Sequence, residues 1–257
     1  PADFWVEFRQ MVRSTNPEAW IVGEVWGDAT SWLQGEHFDG VMNYRLGWSS
    51  LCWAAGEMLR RDYRNPEYPL DPLDGEALLT IWATTARSYR DVVNRAQMNL
   101  LDSHDVPRAL HSLSNDLAAL KLALLLLFLH PGAPCIYYGT EAALAGGPEP
   151  GPSGGPGPAC REAYPWDAPW TADLRPFIQS LAALRGAHGG LRRNGLQWSA
   201  QGADVLEGVA EGLRVVINRS RSNPAPLTIE PGGSCVWTLG TVDSQGVGPQ
   251  SAVVLGS

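Results

Sequence analysis

Two carboxylates stand where they could do chemistry. Glu24 follows directly on the apolar run Ala19-Trp20-Ile21-Val22-Gly23, and Asp105 closes Asp102-Ser103-His104-Asp105, just past a second apolar run at residues 97–101. An acid at the end of a buried strand lies close to a low-dielectric wall, which raises its pKa and keeps it protonated near neutrality, as a proton donor requires. Taken alone, Glu24 also reads as an exposed acid at a strand end, and His104-Asp105 as a loop pair capping the next helix. The pairing decides the matter. Two acids, each just past a parallel strand, converge on one face of a sheet. Cleavage of a glycosidic bond needs opposed carboxyl groups, about 5–5.5 Å apart when the anomer is retained.

Three further side chains belong to this constellation. His104 adjoins Asp105. Arg108, three residues on, either pairs with a carboxylate or holds a sugar hydroxyl. Trp26, two residues past Glu24, faces the same mouth if the strand continues. His111 and Lys121 read as surface or helix residues. Eleven Trp residues are many for 257. Most serve core packing, and some suit stacking on the apolar CH faces of a pyranose ring.

The elements that must position these groups follow from hydrophobic periodicity. Phe4, Trp5, Phe8 and Val12 fall at helical spacing, with Asp3 as N-cap. The spacing predicts short buried strands near residues 19–23, 38–44, 97–101 and 135–138. Helices are predicted over 46–59, 76–89, 113–130 and 175–184, and loops over 60–72 and the Gly/Pro-rich run 146–158. Alternating strand and helix argues for a parallel sheet wrapped by helices, with chemistry in the loops after the strands. The pattern amounts to about half a barrel. Past Gly190 the texture changes to short β-prone runs at 205–209, 213–217, 227–229 and 236–239, a small antiparallel domain.

Composition narrows the function classes. A formal net charge of −8 disfavours nucleic acid and an anionic membrane surface. The apolar run 117–129, broken by Lys121, is too short to span a bilayer. Cys52, Cys135, Cys160 and Cys235 lack metal-site or redox spacing and read as free thiols, with a Cys160–Cys235 bridge as the alternative. No signal peptide is visible, and a cytoplasmic location is expected. The first residue is Pro1, so the expectation is a piece of a longer protein.

At this point the motifs resemble a known family. Gly23-Glu24-Val25-Trp26 resembles the acid/base motif of the α-amylase superfamily, and the segment from Asn99 to Asp105 its seventh-strand motif. Gly132-Ala133-Pro134-Cys135-Ile136-Tyr137-Tyr138-Gly139-Thr140-Glu141 resembles the eighth-strand motif, and Phe38-Asp39-Gly40-Val41-Met42-Asn43-Tyr44 the sixth. Cys160-Arg161 with Pro165-Trp166-Asp167 is similar to the stretch before the last barrel helix. The wording is nearest the cyclomaltodextrinase, neopullulanase and maltogenic amylase branch.

The resemblance implies an α/β chain: the C-terminal half of a (β/α)8 TIM barrel over residues 1–188, then a small β-sandwich over 189–257. It implies a retaining hydrolase of α-1,4, and in some members α-1,6, bonds in maltooligosaccharides, cyclodextrins or pullulan. Glu24 would be the acid/base, Asp105 would stabilise the oxocarbenium-like sugar, and His104 would bind its hydroxyls. The family's nucleophile, an Asp at the fourth strand, has no match in this chain, so the chain by itself is expected to be inactive. The usual calcium ligands also lie mainly in the unmatched half, and no cofactor or metal is expected here. A transglycosylating enzyme and a non-catalytic carbohydrate-binding relative are the alternatives. Oligomeric state is left open.

Overall fold

The computed structural model describes residues 2–148, 157–228, 233–244 and 246–256. Most of the Gly/Pro-rich run, and Ile229 of one expected strand, lie outside them. The first half of the chain alternates strand and helix. In order these are α1 (Ala2–Thr15), β1 (Val22–Gly23), β2 (Gly40–Asn43), α2 (Tyr44–Ala55), α3 (Gly75–Ser88), α4 (Asp91–Arg95), β3 (Met98–Leu100), α5 (Ala109–Ser112), α6 (Leu117–Leu129) and β4 (Ala133–Cys135). The four strands pair in parallel in chain order, through Val22↔Gly40, Met42↔Met98 and Asn99↔Pro134. All four therefore point their C-terminal ends the same way.

Local chemistry sets the element limits. The Asn43 side chain accepts the Leu46 N–H and starts α2 directly at the end of β2. Gly47 lets that helix lie on β3, since a Cβ there would stand 2.0 Å from the Leu100 carbonyl oxygen. The helix expected over 113–130 begins four residues later, at Leu117, and the short α5 precedes it. Ser114 and Asn115 take φ of 54° and 62°, and Asp116 then caps α6 by accepting the Ala118 and Ala119 N–H groups. Helix α6 is apolar all round and almost wholly buried, the mark of a central core helix.

Helix α1 forms over the expected segment and packs Trp5 and Val12 on the core, but leaves part of its apolar face open. Asp39 binds it to the sheet through Arg9 at 2.7 Å and Arg13 at 2.9 Å. None of its residues is buried, and Phe4, Phe8 and Met11 are exposed.

After α7 (Arg175–Ala187) and α8 (Gly189–Arg193) come β5 (Gln197–Gln201), β6 (Val205–Ala210), β7 (Leu213–Asn218), β8 (Ser234–Leu239), β9 (Val242–Asp243), β10 (Gly246–Val247) and β11 (Ser251–Gly256). Five of these form an antiparallel sheet in the order β5-β6-β7-β11-β8, and β9 pairs with β10. Strands β5 and β11 were not anticipated, and Leu227 and Thr228 are not in a strand. One apolar core joins Leu120 and Leu124 of α6 to Leu206, Val215 and Val254 of the antiparallel sheet. All four cysteines are free: Cys52 and Cys160 are buried and Cys235 is exposed, so the Cys160–Cys235 bridge is absent.

Candidate active site

The residues that follow β1, β2 and β3 meet through one phenol. Tyr44 is the first residue past β2, and its hydroxyl donates to Glu24 Oε1 at 3.0 Å. The same hydroxyl lies 2.9 Å from Ser103 Oγ, and Ser103 Oγ accepts the Asp105 N–H at 3.1 Å. A continuous chain of hydrogen bonds thus runs from the Glu24 carboxylate to the Asp105 backbone. Tyr44 is only 5% exposed. Burial pushes its pKa up, and the Glu24 and Asp105 charges add to that, so it is a neutral donor at physiological pH.

Glu24 itself is exposed. This corrects the expectation of an acid walled in by the strand. Strand β1 is only two residues long and, among the described residues, pairs with β2, so Glu24 lies just past its end. Trp26 is half-buried and stacks on Tyr44, with ring centroids 4.1 Å apart and planes 15° from parallel. One face of Trp26 is thereby used inside the protein. The adjoining Gly27 N–H donates to the Tyr68 hydroxyl at 3.2 Å.

Asp105 has two nitrogen-bearing neighbours, His104 and Arg161. His104 Nε2 lies 3.1 Å from its Oδ2, and the Arg161 guanidinium donates to Oδ1 at 2.7 Å. Arg161 comes from the turn Pro158–Arg161, well after β4. Tyr137 and Tyr138, just past β4, donate their hydroxyls to the carbonyls of Cys160 (3.1 Å) and Glu162 (2.8 Å), pinning the chain on either side of Arg161. Buried Cys160 anchors the turn from below.

Arg108 corrects another expectation. It is fully buried, and its guanidinium lies over the rings of Tyr137 and Tyr138, 4.6 and 4.7 Å from their centroids. It donates to the Tyr138 carbonyl oxygen, and its Nε and Nη2 have no partner among the described residues. It neither forms a salt bridge nor reaches the open side of the sheet. Its charge serves the buried Asp102, whose pKa burial raises and whose carboxylate accepts Ala109 N–H at 2.9 Å and the Thr140 hydroxyl. Arg108 holds the loop below Asp105.

Of the five anticipated residues, the structure thus brings Glu24, Asp105, His104 and Trp26 to one end of the sheet and buries Arg108. Tyr44, Ser103 and Arg161 were missed as participants. Tyr44 carried a signal, being a polar residue directly past a predicted strand, as Glu24 is. Arg161 lay in a family-like stretch, but its pairing with Asp105, 56 residues away, carried no sequence signal. Among the described residues no group of three or more His, Cys, Asp or Glu could hold a metal ion. No described helix is long and apolar enough to cross a membrane.

A parallel sheet with acids gathered past its strand ends is the architecture of a barrel glycosidase domain. A family model for the alpha-amylase catalytic domain matches residues 1–203, and the chain belongs to that family, whose fold is a (β/α)8 barrel. Among curated relatives, it is similar to a cyclomaltodextrinase of Geobacillus thermopakistaniensis (strain MAS1), at 34% identity over 244 residues, 92% of this chain and 38% of that protein. It is similar to neopullulanase 2 of Thermoactinomyces vulgaris, at 32% identity over 91% of this chain and 38% of that protein. Among solved structures, the acarbose-soaked debranching enzyme of Nostoc punctiforme superposes with a TM-score of 0.82 at 31% identity, over 99% of this chain and 54% of that one. The chain therefore spans well under half the length of these two curated relatives.

Proposed function

We propose that the polypeptide carrying this chain is a retaining glycoside hydrolase of α-1,4, and secondarily α-1,6, glucosidic bonds in maltooligosaccharides, cyclodextrins or pullulan. The hydrogen-bonded path from Glu24 through Tyr44 and Ser103 to Asp105 carries this reading, because it ties both acids to a common sugar position. The names of the relatives support the substrate class.

In this reading Glu24, open to solvent and substrate, protonates the glycosidic oxygen as the bond to the leaving sugar breaks. It then takes a proton from the water that releases the product. Tyr44 orients that carboxyl group. Asp105, hydrogen-bonded by Arg161 and adjoined by His104, faces the positive charge that grows on the sugar ring. His104, half exposed, binds hydroxyls of that sugar, and the free face of Trp26 stacks on a neighbouring ring. The carboxylate that forms the covalent glycosyl intermediate is a residue outside this sequence, and residues 1–257 alone do not turn over substrate. Residues 1–188 belong to the catalytic barrel and 189–257 to a β-sandwich. The location is cytoplasmic, in keeping with the similarity to an intracellular maltogenic amylase of Bacillus subtilis. Sugar release from maltotriose, pullulan and cyclodextrins by the complete polypeptide tests the proposal; release from none of them refutes it.

A further inference from the structure

The loop that places Arg161 on Asp105 runs on into an aromatic cluster that the site above does not use. Trp166 is 82% exposed, more than any other large hydrophobic side chain among the described residues. Its ring leans on Tyr164, with centroids 4.5 Å apart and planes at 48°. Tyr164 meets Trp170 edge-on at 5.7 Å. Trp170 is the anchor: its indole N–H donates to the Pro165 carbonyl at 3.2 Å, and the Arg175 guanidinium covers its ring at 4.4 Å. Arg175 is held in turn by two hydrogen bonds to Asp173, of 2.9 and 2.8 Å. The loop is thus braced on one side while its largest apolar side chain is held out in water. An indole so placed gains nothing from burial within the fold.

We propose that Trp166, backed by Tyr164, is a stacking platform for a glucose ring of a long α-glucan, outside the cleft that holds Glu24 and Asp105. The proposal rests on the glucan reading of that cleft. Trp166 stands five residues past Arg161, which is bound to Asp105. Five residues of backbone span at most about 18 Å, so the platform lies in the same loop region as the residue that binds Asp105. A planar ring with only two side-chain torsions presents a large apolar face at small entropic cost, which suits the CH face of a pyranose. The exposed neighbours Glu162 and Asp167 are both acidic, which favours a neutral sugar over a phosphorylated one.

The test uses the complete polypeptide labelled with 5-fluorotryptophan, the Trp166 signal being assigned by its loss in Trp166→Phe. On titration with maltoheptaose the Trp166 signal should shift, and at lower concentration than with maltose. Trp166→Ala should weaken maltoheptaose binding roughly threefold to tenfold while leaving maltose binding within about twofold. Far-UV circular dichroism should be unchanged, since the side chain is exposed. Three results overturn the platform: a Trp166 signal unmoved at saturating maltoheptaose, affinity within twofold after Trp166→Ala, or an equal response to the β-linked cellohexaose. If the Trp26 signal moves and that of Trp166 does not, the platform fails and the cleft reading stands. If neither moves, both fail.

Discussion

Tyr44 donates its hydroxyl proton to Glu24 across 3.0 Å while its ring lies flat against Trp26. The two functions of this side chain separate cleanly in Tyr44→Phe, which keeps the stack and removes the donor. A hydrogen bond to a charged group is worth about 1.5–3 kcal/mol, so kcat of the complete polypeptide on maltotriose should fall about tenfold or more, with KM little changed. A kcat within twofold of the parent would show that Tyr44 only packs.

Glu24→Gln preserves shape and removes the proton. Because Glu24 is exposed, the fold should tolerate the change, with an unaltered denaturation midpoint. Turnover of maltotriose by the complete polypeptide should fall by about 10²–10⁴, the usual share of general acid catalysis. A loss under tenfold would remove Glu24 from the proton-donor role.

Asp116 joins two parts of the chain. It caps α6 and also receives the Gln250 side chain at 2.8 Å and the Arg221 guanidinium. Asp116→Ala should cost about 1–2 kcal/mol for the cap alone. Urea denaturation monitored by Trp fluorescence measures it, and Asp116→Asn should recover most of the loss.

His130 makes stability pH-dependent. It sits between Trp82, at 4.1 Å edge-on, and Trp198, and its Nδ1 lies 3.1 Å from the Leu126 carbonyl. Burial pushes its pKa down to about 4, and the nearby Arg185 lowers it further against that carbonyl's opposing pull. The folded state therefore binds the proton less readily than the unfolded chain, whose His titrates near 6.5. This contribution is intact above pH 6.5 and shrinks as pH falls towards 4, because the unfolded state takes up the proton first. The thermal midpoint should drop across that window, and His130→Gln should flatten the drop. An identical slope in the variant would rule His130 out as its source.

The positions that sequence reading located share one property: they sit at junctions. Each short apolar run ends in a polar residue, so the ends of β1 and β3 could be marked at Glu24 and Asp105 without coordinates. The leucine-rich run likewise announced a buried helix, although Ser114 and Asn115 divided its expected start. The strands themselves proved shorter than their apolar runs. Pairing covers only Val22–Gly23 of the first run; Trp20, before it, is exposed and donates its indole N–H to the Ala96 carbonyl. Strand β5 escaped notice because its inward face holds only Trp198 and Ala200 between polar Gln and Ser residues.

Sequence alone determined the strand–helix alternation of the first half and the acids past β1 and β3, because hydrophobic period and chain polarity are local properties. The tertiary structure decided which side chains share a proton or a charge. Tyr44 reaches Ser103 across 59 residues and Arg161 reaches Asp105 across 56, and only strand pairing brings such distant groups within 3 Å. It also decided that Arg108 is buried and Glu24 open. The burial follows from what packs alongside: two tyrosines from the end of the neighbouring strand cover the arginine.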